Sequence, residues 1–216
     1  MRIGFAVLFF VLFALPLGAE SLLLSFRGSV LVIPEDNGLE SDPMPVLPSA
    51  GAALAVALGG PLWVELSLDI YGTHYRFSDN LQRPVPAAVE NRWTTVIGFM
   101  LGPQLLFRSG LSETTALRVY GGPVADLRLC LIAEDLNDDE QDEASRQTGA
   151  VADYFWGDTR WLLPVLGAGM DFRISEKLAL GFDLRLWFPL YKLWTAEDLP
   201  PIEGWRFSGS LRLTIL

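Results

Sequence analysis

Lysine is almost missing from this chain. Only Lys177 and Lys192 occur among 16 basic residues in a length of 216, and His74 and Cys130 are each the sole residue of their kind. A water-soluble protein spreads lysine and glutamate over its exterior, so the shortage indicates that much of this surface does not meet water. One cysteine excludes an intramolecular disulfide, and Cys130 reads as a small wall side chain. Positive charge is short overall: 16 Lys plus Arg stand against 26 Asp plus Glu, a net charge of -10. That balance argues against a nucleic-acid backbone as partner. Long apolar runs are also missing beyond the first twenty residues. The uncharged run from Pro43 to Val64 is cut by Pro48 and Pro61, which leaves about a dozen residues, well short of a spanning helix.

What is there is alternation. Leu178, Leu180, Phe182, Leu184, Leu186, Phe188 and Leu190 share one parity, while Ala179, Gly181, Asp183, Arg185, Trp187, Pro189 and Tyr191 share the other. A period of two marks a strand. Residues 161–173 do the same, with Leu162, Pro164, Leu166, Ala168, Met170 and Phe172 on the apolar parity, and 174–177 turns the corner between the two arms. One face is apolar to its tips and the other mixes glycine with charge of both signs. This inverts a soluble strand and suits a transmembrane barrel, with lipid outside and a polar lumen.

The same pattern predicts eight strands, over 21–33, 50–59, 62–73, 92–107, 114–132, 161–173, 178–191 and 205–215. The connections between them alternate long, short, long, short, long, short, long. Half of the chain is hydrophobic and only 19% is charged, yet the charge in the strands keeps to one parity. Arg27, Arg118, Arg128, Arg173, Arg185, Arg206 and Arg212 share it with Glu65, Asp69, Asp126, Asp171 and Asp183. Near-balance is what a lumen of low dielectric constant requires, because a buried charge is tolerable only when paired. The expected fold is therefore all-β: an eight-stranded antiparallel up-and-down transmembrane β-barrel with long outer loops and short periplasmic turns. A soluble barrel of the lipocalin type, a ligand binder with its apolar face inward, is the alternative.

Residues 1–19 read as a secretory signal peptide: Arg2, an apolar segment from Ile3 to Leu17, then Gly18 and Ala19. The expected mature domain is 20–216. Signal peptide, strand count, loop alternation, phrases such as Gly167-Ala168-Gly169-Met170-Asp171-Phe172-Arg173 and an amphipathic last strand together resemble the small eight-stranded outer-membrane proteins of bacteria, of the OmpA, OmpX and OmpW type. The resemblance covers 21–216. Such proteins usually end on an aromatic residue, where this chain has Leu216. It implies a bacterial outer-membrane location, the lipid bilayer and the barrel-assembly machinery as partners, no cofactor and no enzymatic activity. The implied role is structural or surface contact, with host or surface ligands, or OmpW-like passage of small apolar solutes.

Two other chemistries have candidate residues. A lipid-modifying enzyme, an acyl hydrolase or transferase, would use His74 at the rim with Ser78 and Asp79 behind it. In the third long loop Asp135, Asn137 and Asp139 stand at alternate positions like the start of a calcium loop, but Glu140 occupies the place of the required glycine. A solvated acidic loop is the better reading. The four long loops carry eighteen acidic residues, with Arg83 and Arg146 as their internal basic ones. The outer face should therefore be strongly negative, disfavouring anionic ligands and admitting loose divalent cations.

Overall fold

The protein is represented by a computed structural model that describes residues 22–34, 46–76, 93–133, 156–193 and 204–216. The strands are β1 Leu22–Val32, β2 Val46–Gly59, β3 Leu62–Arg76, β4 Trp93–Gly110, β5 Thr115–Gly122, β6 Ala125–Ala133, β7 Val165–Arg173, β8 Leu178–Trp187 and β9 Arg206–Ile215. All neighbours are antiparallel. Each strand pairs with the next, β5 passing its place to β7 and β4 pairing with both β5 and β6, and β9 returns to β1 through Leu24↔Ile215 to Val32↔Phe207. Since β5 and β6 lie end to end along one stave, the sheet closes with eight staves and has no open end.

Parity decides which way each side chain points. On β8 every odd residue from Ala179 to Trp187 is buried and every even one is half-buried or exposed; β9 alternates just as strictly. The outward set is apolar, with Leu184 65% and Leu211 68% exposed. Ten residues of β8 at about 3.3 Å each, tilted about 45°, span roughly 23 Å, the height of a hydrocarbon band. At the long-loop end an aromatic group caps that band: Phe188 meets Trp205 edge-on at 5.1 Å and Trp205 stacks on Phe207 at 6.4 Å. The short turns lie at the opposite end. One of them, Gly59 and Gly60 before Pro61, uses positive φ at both glycines.

Three elements are broken or shorter than the sequence reading, with a proline at each, while β3 and β4 each run three residues further, to Arg76 and Gly110. Residues 114–132 are not one strand: the ladder is interrupted at Pro123 and Val124. The arm beginning at 161 makes an isolated pair at Leu162 and runs as a continuous strand only from Val165, after Pro164, and the last arm leaves the ladder at Trp187, before Pro189, for a 3₁₀ turn at Leu190–Leu193. Proline has no N–H to give a ladder. In the other direction β2 starts four residues early, at Val46, because Leu31↔Leu47 and Val30↔Pro48 extend its pairing with β1.

Candidate functional site: the lumen and the wall around Pro123

Inside the barrel most of the expected charges meet. Arg185 Nη1 donates to Asp69 Oδ2 at 2.6 Å and Arg27 Nη2 to the same oxygen at 3.0 Å. Arg27 also reaches Glu65 at 3.3 Å, which receives Arg212 at 2.5 Å. Arg212 lies 3.9 Å from Asp183, Asp183 accepts from Arg118 at 2.7 Å, Arg118 is 3.0 Å from Asp171, and Asp171 is 3.8 Å from Arg108. Nine charges thus alternate in one chain that winds down the lumen to the short-turn end. Asp126 forms a second cluster nearer the long loops: Arg128 Nε donates to it at 2.6 Å, Arg206 Nη2 at 2.7 Å and the Tyr71 hydroxyl at 3.0 Å. Arg173 stands apart, exposed at the short-turn rim, where it lines a pocket of about 210 Å³ with Arg108 and Asp171.

Glycine makes the room. Gly51, Gly98, Gly167, Gly169 and Gly181 stand directly across the ladder from Asp69, Tyr71, Tyr120, Asp183 and Asp171. A Cβ at any of them would overlap the large neighbour that leans over it. Small residues on the lumen parity are therefore the seats of the large ones on the adjacent strand.

Two features were not read from the sequence. First, the lumen is not polar throughout. Leu31, Leu47, Tyr71, Met100, Val124, Leu163, Val165 and Trp187 form a buried apolar layer toward the long loops, and Leu23, Trp63, Leu106 and Tyr120 form another toward the turns. Second, three prolines align across three adjacent staves. Leu105 pairs with Gly121 and Leu101 with Ala125 in one continuous register, which sets Pro103 opposite Pro123. Gly122 pairs with Val165 and Ala125 with Leu162, which sets Pro123 opposite Pro164. None of the three has an N–H to offer: Pro103 and Pro123 face each other at a bonding position and leave it without rungs, and Pro164 accepts from Phe188 on the next stave but donates nothing back, whereas the Pro123–Pro164 pair falls between rungs. Both faces of that line are apolar: the prolines are on the outward parity, and Val124, Leu163 and Val165 are buried on the inner one. Toward the long loops β6 keeps its full ladder with β4, from Leu101↔Ala125 to Trp93↔Ala133. On its other side the described rungs are Leu163 N–H to the Val124 carbonyl at 2.8 Å and Asp126 N–H to the Trp161 carbonyl at 2.7 Å. The chain beyond turns aside into the 3₁₀ helix Gly157–Thr159.

No family model and no curated protein matches this chain, but solved structures do. OprG from Pseudomonas aeruginosa is similar over 90% of this chain and 92% of its own, at 10% identity and a TM-score of 0.46. Ail from Yersinia pestis is similar over 90% and 95%, at 8% identity and 0.44. Neisserial surface protein A is similar over 90% and 94%, at 8% identity and 0.43. All three are small outer-membrane barrels. This chain's own ladder closes on eight staves and turns an apolar face outward. The chain is an eight-stranded transmembrane barrel.

In this barrel His74 lies on β3 opposite Thr95, while its side chain and residues 77–92, with Ser78 and Asp79, fall outside the described residues. Asp135, Asn137 and Asp139 also fall outside them, as does the segment 1–19. Cys130 pairs with Val96 along β6. Among the described residues no group of His, Cys, Asp and Glu is placed to hold a metal ion, and no helix is long and apolar enough to cross a membrane; the crossing elements are strands.

Proposed function

We propose that this barrel sits in a bacterial outer membrane, long loops outward, and lets small apolar solutes pass from its outer lumen sideways into the bilayer. The observation that carries the reading is the apolar layer of Leu31, Leu47, Met100, Val124, Leu163 and Val165 lying behind the proline line. A solute arriving from the long-loop end would meet these apolar side chains. Straight below, the alternating ion pairs fill the lumen, and an apolar molecule gains nothing by displacing them. Sideways it meets a wall apolar on both faces and held there by few rungs. Ions have no such exit, so the protein would not act as a general pore. Export by the segment 1–19 and insertion by the barrel-assembly machinery complete the reading, and no catalytic step is assigned.

Uptake of naphthalene by whole cells that express the protein, against cells that do not, tests this reading together with single-channel recording of the refolded barrel. Faster uptake with small or absent currents is expected. Unchanged uptake with absent currents would leave a structural or surface-contact role, with host or surface ligands recognised by the acidic loops.

A further inference from the structure

We propose that Asp126 is the latch that holds the wall shut beside Pro123, with Tyr71, Arg128 and Arg206 as its keepers; the inference rests on the passage proposed above. The position is unusual in serving two bonds at once. Its backbone N–H makes the last described rung between β6 and the neighbouring stave, 2.7 Å from the Trp161 carbonyl. Its carboxylate accepts from Arg206 on β9 at 2.7 Å, from Tyr71 on β3 at 3.0 Å and from Arg128 on its own strand at 2.6 Å. Tyr71 and Arg206 are themselves joined: Arg206 Nη1 donates to the Tyr71 hydroxyl at 3.2 Å, and its guanidinium carbon lies 5.6 Å from the Tyr71 ring centre.

The mechanical sense follows from where these bonds run. From Ala125 outward β6 is anchored along one edge by β4, beginning just past the unbonded Pro103–Pro123 pair, while on the other edge its described backbone bonds are only Leu163 N–H to the Val124 carbonyl and Asp126 N–H to the Trp161 carbonyl. A stave held on one edge can swing about the interrupted point. Asp126 is the first lumen-facing side chain past Val124, and its carboxylate ties the loose edge across the lumen to β3 and β9 on the far walls. Charge-assisted bonds in a dry interior are the strong kind, so loosening them should raise the population of the open wall more than removing any one rung would.

Hydrogen exchange and uptake together test the latch, using the full barrel refolded in detergent and expressed in cells. Asp126→Asn removes the charge, and Tyr71→Phe removes one donor while keeping the ring, which covers the case in which the first variant fails to fold. Exchange of the Leu163 and Asp126-position amides should accelerate roughly tenfold for Asp126→Asn and less for Tyr71→Phe, with amides on the β4 side of β6 unchanged. Naphthalene uptake should rise in the same order. Ala125→Cys with Leu162→Cys, in a Cys130→Ala background, joins a pair whose flanking bonds leave it closely spaced, within disulfide reach; oxidation should cancel the gain and a reductant restore it. Exchange that is unchanged in both variants, or that accelerates equally throughout the barrel, overturns the latch. Selective acceleration at Leu163 with uptake indifferent to the variants and to the cross-link supports the latch and instead overturns the passage on which its purpose rests.

Discussion

At the scale of single residues, orientation is the controlling variable, and adjacent positions on β8 make the point. Leu184 is 65% exposed near the middle of its strand, whereas Asp183 is 1% exposed and receives Arg118 at 2.7 Å. Leu184→Arg places a cation at the bilayer midplane and should lower refolding stability by roughly 2 to 4 kcal/mol. Asp183→Leu should lower it by about 3 to 5 kcal/mol, because Arg118 is left buried without that partner. Adding Arg118→Leu should recover part of that loss. Urea titrations in liposomes of these three variants read the comparison, and a mild Asp183→Leu without coupling to Arg118 would contradict the orientation. A steric case lies nearby: Gly102→Ala would drive a Cβ into the Pro123 carbonyl and the Val124 backbone. Backbone yields poorly, so this substitution should destabilise more than an alanine at Gly28, whose surroundings are open. The same titration compares the two.

At the scale of strands and turns, alternation made seven of the eight staves legible without interruption, because hydrocarbon on one side and a packed lumen on the other leave the parity little freedom. The break between β5 and β6 was not legible, since parity runs through it unchanged: Val119, Ala125 and Leu127 share the outward side across Pro123. Pro103, Pro123 and Pro164 were visible on the outward parity, but their alignment depends on register between strands, which one strand's pattern does not contain. The apolar lumen layer was hidden for a related reason. Leu31, Leu47, Met100, Val124, Leu163 and Val165 are scattered over five staves and come together only on closure. Replacing Pro103 and Pro123 together by valine would return two N–H groups to the ladder. At about 0.5 to 1.5 kcal/mol for each bond made, the refolding midpoint should rise, and uptake of apolar solutes should fall. A rise in uptake would place the route elsewhere.

At the scale of the whole molecule, the alternating chain from Arg185 to Arg108 occupies the lumen from side to side, and eight staves leave an interior that side chains can fill. Recordings in planar bilayers should therefore lack the large, stable, ohmic steps of a general porin. The chain recovered from outer membranes should begin at or near Glu20 and run differently on gels before and after heating. N-terminal sequencing that still found Met1 in the inserted protein would exclude cleavage of 1–19.

The lumen ion pairs also bear on how the barrel comes into being. Glu65 and Asp69 belong to β3, an early strand, but their partners are Arg27 on β1, Arg185 on β8 and Arg212 on β9. Until the last two strands arrive, β3 carries carboxylates whose neutralisation is incomplete, and the late strands carry guanidiniums in the same condition. A half-built sheet therefore meets hydrocarbon with naked charge as well as open edges, and every partial assembly lies uphill of both the unassembled chain and the finished one. Insertion should be all-or-none: a chain truncated before β9 should stay outside the bilayer and be degraded, rather than persist as a seven-stranded intermediate.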